Sequence, residues 1–324
     1  MNIPCPICQF TEAALIFSAS SWERIENSCH KVFKCLNCNC VFTDSSIPPE
    51  TLNAYYESGL YRNVRNRLSW LMQSLSAIFQ EERLAKVRRA GNGNRILDVG
   101  CGKGRFLEYA AEHGWDVSGI EPSTNGRVVA RSRLGERVFA DLEEVEGEIY
   151  DVVTLWHVLE HLSAPLETLT RLRPFLHPAG WLLIAVPNFA SIQARLGKQK
   201  WAHLDVPRHR VHYTPETLRN TLEKAGYEVV YVDHYSLETN VIGMYQSIFN
   251  VLGVEPNLVY KLVKRNFSAQ RAGYVRFLLN LFIFIVGTPF ILPLSLVLTV
   301  CESVFGKGGT ILAYARLSYQ GSGE

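Results

Sequence analysis

Three groups of residues in this sequence have the types and spacing that do chemistry. The first is Asp98-Val99-Gly100-Cys101-Gly102-Lys103-Gly104, a glycine-rich turn set between an apolar run and an amphipathic one. Glycines there permit a tight turn and close backbone approach, and the following helix N-terminus offers unpaired N–H groups to a polar ligand. The spacing is GxGxG rather than the dinucleotide GxGxxG. Glu121 ends the next strand-like run, where a carboxylate can accept hydrogen bonds from both hydroxyls of a ribose, and Asp141 follows the third run. The second group is rich in histidine: His157, Glu160 and His161 after the fourth run, then Trp201, His203, Asp205, Arg208, His209 and His212. Histidine suits proton removal near neutral pH, which makes His161, His157 and His209 candidate catalytic residues. The same pattern also arises if His157 and His161, at i and i+4 of a helical turn, merely pack or cap, or if Arg208 pins its loop to Asp205 or to backbone carbonyls. No HxxxH helix or HxH strand backs a metal among these histidines. The third group is Cys5-x2-Cys8 and Cys35-x2-Cys38, two tight knuckles that can deliver four thiolates to one tetrahedral zinc. Cys29, His30 and Cys40 are spare donors. Four thiolates leave no position for water, so the site reads as structural; a redox pair, the alternative, usually sits alone on a thioredoxin-like unit.

The elements that position these groups follow from periodicity. Residues 1–45 alternate cysteine pairs with short β-type runs and form a small module. Ile47, Pro48, Pro49 and Glu50 open a helical connector that extends through residues 46–90. From residue 94 to 186 the runs ILDV, VSGI, RVF, DVVTL and WLLIAV alternate with helical periods, the pattern of a parallel α/β sheet. Thr214 as N-cap, Pro215 at the first position and Gly226 as stop predict a helix over 215–225. Tyr227 to Val232 and Thr310 to Ser318 are the last strand-like runs. The histidine group then lies at the carboxyl ends of the fourth and fifth strands, the edge where open α/β sheets bind ligands.

The segments ILDVGCGKGRFLEYAAEHGWDVSGIEPS and DVVTLWHVLEHL resemble class I S-adenosylmethionine-dependent methyltransferases, specifically those similar to ubiquinone-biosynthesis-type O-methyltransferases. WAHLDVPRHRVHYTPETL is similar to a segment common among members that carry an N-terminal cysteine module. The resemblance implies a seven-stranded Rossmann-like sheet whose last strand is antiparallel. It also implies cofactor contacts at Asp98, Gly100, Cys101, Gly102 and Gly104, ribose binding by Glu121 beside Pro122, adenine contacts around Asp141 and Leu142, and closure by Trp156 and His157. The methyltransferase domain is then 91–235 plus 309–324, with 236–308 inserted between the sixth and seventh strands. A Rossmann-type enzyme binding NAD at the acidic strand end is the alternative, against which the acid just before the first glycine argues.

The chain of 324 residues carries 33 basic and 31 acidic side chains, a net charge of +2. That gives no basic field of the kind that draws a phosphate backbone, so nucleic acid is not the expected partner. The start MNIPCPIC lacks a basic patch followed by an apolar run, so a cytosolic start is expected, and five of the eight cysteines fall within residues 1–38, which fits thiolate ligation rather than disulfides. The insertion holds a charge-free run from Phe277 to Cys301, long enough to span a bilayer. Both ends of an insertion must return to one sheet, and Gly287, Thr288, Pro289 and Pro293 divide the run, so a re-entrant or interfacial hairpin is expected. Lys261, Lys264, Arg265, Arg271 and Arg276 would meet anionic headgroups; a hydrophobic interface or extra buried layer is the alternative. The expected enzyme is peripheral or monotopic on the cytoplasmic membrane face and methylates an oxygen of a lipid, a lipid-linked glycan or another small amphiphile. The alternatives are C- or N-methylation of a nucleotide-activated sugar, and a cofactor-binding protein without turnover. Tyr55, Tyr56 and Tyr61 are expected to join the acceptor pocket.

Overall fold

A computed structural model describes residues 3–21, 29–44, 69–91, 93–145, 147–254, 258 and 271–318. Short β-branched and aromatic runs form β1 (Ala13–Ser20), β2 (Cys29–Cys35) and β3 (Val41–Thr43), an antiparallel meander behind the cysteine knuckles. After α1 (Ser69–Ala90) the predicted alternation follows in order: β4 (Arg95–Val99), α2 (Arg105–Glu112), β5 (Asp116–Ile120), α3 (Thr124–Leu134), β6 (Val138–Phe139), β7 (Tyr150–Trp156), α4 (Pro165–Leu172) and β8 (Leu176–Pro187). Then come α5 (Ile192–Gly197), β9 (Val211–His212), α6 (Pro215–Lys224) and β10 (Tyr227–Asp233). Thr214 caps α6 through the Thr217 N–H, and Thr217 reciprocates, with Pro215 in the first turn as expected. The insertion contributes α7 (Ile242–Val251) and α8 (Arg271–Val304) before β11 (Thr310–Leu317) closes the sheet.

The seven-stranded sheet has the order β10-β11-β8-β7-β4-β5-β6. β4 to β8 are parallel, and β11 runs antiparallel between β8 and β10. One face packs on α1 and α2 through Leu84, Val87, Phe106, Leu107 and Ala110. The helix expected as a connector is therefore a layer of the fold. The other face buries Leu97, Leu155, Leu182, Leu218 and Leu222, and its core continues through Tyr213 into Phe33, Phe42, Cys5 and Cys35 of the module. Each leucine or phenylalanine among them contributes about 1.5–3 kcal/mol on burial. β3 pairs with β9, Val41 opposite His212 and Phe42 opposite Val211, so the histidine-rich loop ends in the module's own sheet.

The hairpin expected within Phe277–Cys301 is not formed. The run lies in one helix that continues through Pro289 and Pro293, about 51 Å long at 1.5 Å per residue. The two prolines stand i, i+4 on the exposed side. They disturb one strip of backbone bonds, while on the inner side the hydroxyls of Thr288 and Ser295 bond back to Phe284 O and Ile291 O. The helix is one arm of the insertion; α7 packs against it through Tyr245, Phe249, Phe284 and a Tyr245–Thr288 hydroxyl bond of 2.7 Å.

Candidate functional site

The turn after β4 is shaped by three glycines with positive φ: Gly100 at 76°, Gly102 at 58° and Gly104 at 71°. A Cβ on Gly100 would stand 2.5 Å from Val158 Cγ2, whereas at Gly102 it would meet nothing within 4 Å, so the loop is packed on one side and open on the other. Glu121 at the end of β5 reaches back over the turn. Its carboxylate accepts from Gly102 N at 2.8 Å and Ser123 N at 2.9 Å. Gly126 leaves the space it occupies, since a Cβ there would be 3.0 Å from its carboxyl carbon. Asp98 is buried under the loop and accepts from the Thr154 hydroxyl at 2.7 Å. Burial pushes Asp98 up to about 7, against the pull of that hydroxyl, and it also raises Glu121. Replacing Gly100 by alanine is expected to cost about 1–3 kcal/mol, from a strained φ and the Val158 contact; thermal unfolding checks this, and an unchanged midpoint would contradict the packing described.

Across the carboxyl edge, Trp156 and His157 end β7. Trp156 packs edge-on to Phe106 at 5.7 Å, lies under the Arg83 guanidinium at 5.5 Å, and its buried indole N–H has no hydrogen-bond partner. His157 has φ of 57° and so sits outside the helical turn expected for it; the turn proper is Leu159–His161. His157 and His161 are therefore not stacked on one helical face. Instead His157 Nδ1 faces Glu160 Oε1 at 3.4 Å. Burial, helped by Arg83, holds His157 down at about 4, which keeps its ring neutral.

The histidine loop distributes its members in three directions. His212 goes to the module, its Nε2 2.9 Å from the Thr43 hydroxyl. His203 goes to the insertion, donating to Thr239 O at 3.0 Å, and Trp201 is buried with its N–H toward Gln193 Oε1. Arg208 bonds Asp205 at 2.7 Å, the loop-pinning pair anticipated from sequence. His209 turns toward the fourth-strand turn, where its ring meets that of His161 at 4.7 Å beside Glu160. Burial pushes Glu160 up to about 7, and burial followed by the neighbouring His161 lowers His209.

A model of the methyltransferase domain family matches residues 65–232, just over half of the chain. The chain belongs to the class I S-adenosylmethionine-dependent methyltransferases. The ubiquinone biosynthesis O-methyltransferase of Dinoroseobacter shibae is 30% identical to it over 178 residues, covering 51% of this chain and 71% of that protein. The enzyme of that name from Cereibacter sphaeroides is 28% identical with the same coverage. A solved SAM dependent methyltransferase from Archaeoglobus fulgidus is similar at 19% identity and a TM-score of 0.43, covering 75% of this chain and 98% of that one.

The glycine turn of this methyltransferase fits its cofactor. Glu121 is held by two backbone N–H groups with lone pairs to spare, the ground at Gly102 is open, and the Trp156 indole N–H is unspent. Asp141 lies at the rim, where its carboxylate accepts from Leu142 N and meets Arg171 at 3.3 Å; Leu142 is buried behind it. Sequence reading missed Arg83 and Lys86 of α1, which line the groove with Trp156, His157, Glu238 and Thr239. Arg83 pairs with Glu238 at 2.8 Å and Lys86 with Glu82 at 2.9 Å. Their signal was the apolar spacing Leu84–Val87, which fixes the helix face on the sheet. Tyr55, Tyr56 and Tyr61, expected at the acceptor pocket, lie outside the described residues, as do Lys261, Lys264 and Arg265.

In the cysteine module Cys5 and Cys38 sulfurs are 3.5 Å apart, Cys8 and Cys35 likewise, and all four lie within 4.8 Å of one another. Thiolates on a tetrahedral zinc at 2.3 Å stand about 3.8 Å apart. The Cys40 thiol beside them lowers Cys38 to about 4 and Cys5 to about 6, whereas burial raises Cys8 and pushes Cys35 up to about 12. Cys29 opens β2 opposite Ser20, at the other end of that strand from Cys35.

Proposed function

We propose that this methyltransferase methylates an oxygen of an amphiphilic or lipid-linked acceptor at a membrane surface, with Cys5, Cys8, Cys35 and Cys38 holding a structural zinc. S-adenosylmethionine, when bound, supplies a sulfonium methyl group for in-line displacement. Asp98, Gly100, Cys101, Gly102, Gly104, Glu121, Pro122, Asp141, Leu142, Trp156 and His157 are the residues proposed to hold it. The pole formed by His157, Glu160, His161 and His209 takes the acceptor hydroxyl: its O–H bond breaks toward a histidine, the oxygen pair forms the new C–O bond, and the S–CH3 pair returns to sulfur. Most of the acceleration comes from holding oxygen and methyl in line. The relatives' name, ubiquinone biosynthesis O-methyltransferase, supports oxygen as the acceptor atom. Residues 1–45, 46–90, 91–235 with 309–324, and 236–308 are proposed as the functional divisions.

The observation that carries the membrane reading is the inverted polarity of α8. Its buried positions include Asn280, Ser295, Thr299 and Glu302, whereas Phe282, Phe290, Val297 and Val304 are 64%, 74%, 60% and 77% exposed. A water-facing helix has the opposite pattern; this one shows lipid-compatible side chains outward. Tyr274–Val304 is also long and apolar enough to cross a membrane. The inner stripe ties the helix to the active-site edge: Glu302 accepts from Gln193 Nε2 at 2.8 Å and Gly309 N at 3.0 Å.

Membranes from cells lacking the protein, given the enzyme and methyl-labelled S-adenosylmethionine, are expected to yield label in the organic extract, in a lipid one methylene heavier. Label confined to the aqueous phase would remove the lipid reading and leave the methyltransferase. A separate prediction concerns attachment. Phe282→Asp with Phe290→Asp is expected to weaken sedimentation with anionic phospholipid vesicles by about tenfold or more, with cofactor affinity retained; unchanged sedimentation would show that α8 does not enter the bilayer.

A further inference from the structure

We propose that Glu302 of α8 is a positioning residue of the acceptor site: through Gln193 and Trp201 it sets the loop 201–212 that carries His209. On the reading of His209 as part of that site, the insertion helps to build the acceptor pocket as well as meeting the membrane.

Glu302 stands where folding alone does not ask for an acid. It is wholly buried and lies in the last turn of a long helix, whose C-terminal end carries partial negative charge. Burial pushes its carboxyl up to about 7, and an apolar side chain there would avoid that cost. What the carboxylate supplies is a fixed set of acceptors. Its Oε1 accepts from Gln193 Nε2 at 2.8 Å and from Gly309 N at 3.0 Å, and Oε2 faces Gln193 N at 3.4 Å.

Gln193 on α5 is also wholly buried, and its amide has one orientation. Nε2 meets the carboxylate, while Oε1 accepts at 3.3 Å from the Trp201 indole N–H, a group that only donates. The amide is closely walled. A Cβ on Gly309 would stand 1.8 Å from Gln193 Nε2, and one on Gly243 of α7 would stand 2.7 Å from its Oε1.

Trp201 opens the loop. Its ring packs on Phe189 at 6.2 Å and on His203 at 5.8 Å, and Leu204 N donates to its carbonyl at 3.1 Å. His203 O in turn accepts from His209 Nδ1 at 2.8 Å, so the place of the loop start is passed to the His209 ring. The insertion holds the neighbours of Trp201 as well. Asn250 Nδ2 donates to Lys200 O, Ala202 N to Ser247 Oγ and His203 Nε2 to Thr239 O, each at 3.0 Å. Every residue from Lys200 to His203 is thus fixed by the insertion, directly or, for Trp201, through Gln193. A displacement of about 1 Å in an aligned reacting group costs about a hundredfold in rate, so the placement of this loop bears on turnover.

The test uses the full chain with zinc in its cysteine site, the membranes of the labelling assay above as acceptor, and deuterium uptake read by mass spectrometry. Gln193→Glu sets two carboxylates against each other. It is expected to lower kcat by about tenfold or more, with S-adenosylmethionine affinity, read by calorimetry, changed by less than about threefold. Adding Glu302→Gln exchanges acid and amide, and is expected to restore kcat to within about threefold of the wild type. Trp201→Phe keeps a ring but removes the N–H, and is expected to reproduce the loss. Uptake over 201–212 is expected to rise in Gln193→Glu and in Trp201→Phe and to fall back in the exchanged pair, with 95–121 unchanged. Unchanged uptake over 201–212, or a loss of kcat that the exchange does not restore, would overturn the proposal. If Gln193→Glu raises uptake over 95–121 too, Trp201→Phe decides by the same two measurements. A wild type that labels no membrane component, with the uptake pattern as expected, would leave the positioning standing and remove the acceptor reading instead.

Discussion

Glu121→Ala is expected to weaken S-adenosylmethionine binding by about a hundredfold or more, measured by titration calorimetry. The side chain has two roles that alanine removes together. In the proposed cofactor site its remaining lone pairs accept the ribose hydroxyls, and hydrogen bonds to a charged group contribute about 1.5–3 kcal/mol each. Two such bonds at about 1.4 kcal/mol per factor of ten exceed a hundredfold. It also holds the Gly102 and Ser123 N–H groups, at 2.8 and 2.9 Å, and so sets the shape of the turn that the ligand meets. Glu121→Gln keeps an acceptor oxygen and is expected to fall between the two. A change smaller than tenfold for alanine would mean that the ribose does not lie against this carboxylate.

The glycine turn and its acidic strand end were legible in the sequence because each part is local. Gly100, Gly102 and Gly104 mark one turn, and Glu121 follows from the length of one helix and one strand. The strand runs predicted around ILDV, VSGI, DVVTL and WLLIAV are all strands of the sheet, and Thr214 with Pro215 starts α6. What sequence did not disclose depends on contacts between distant segments. Glu160 and His209 meet because β3 captures Val211 and His212 as an added strand, a pairing too short to leave a periodic signal. The prolines of α8 were read as breaks because a helix interior normally rejects them. Their i, i+4 spacing places both on the exposed face, and the helix continues. The polar residues of that helix, Asn280, Ser295, Thr299 and Glu302, were the sign that its inner face meets protein.

The capture of β9 ties the cysteine module to the loop of the proposed acceptor site, which leads to the second large effect expected. Cys35→Ser, which removes one ligand of the proposed zinc, is expected to lower turnover by about a hundredfold, with S-adenosylmethionine affinity changed by less than about threefold. The argument runs through three contacts. Thr43 donates to His209 O at 2.8 Å and meets His212 Nε2 at 2.9 Å, and Val41–His212 is a ladder pair. Segments this small depend on their metal for folding, with binding free energies of about 10–16 kcal/mol in peptides. When the knuckles open, β3 loses its place and the loop that sets His209 against His161 and Glu160 loses its anchor. The glycine turn and Glu121 lie on β4 and β5, whose partners are other strands of the main sheet. Supporting groups of this kind are worth about tenfold to a hundredfold in activity at metal and catalytic sites, and here several are lost at once. Equal losses of turnover and cofactor affinity would instead indicate global unfolding through the core shared by Phe33, Phe42 and Tyr213. Unchanged turnover would separate the module from catalysis.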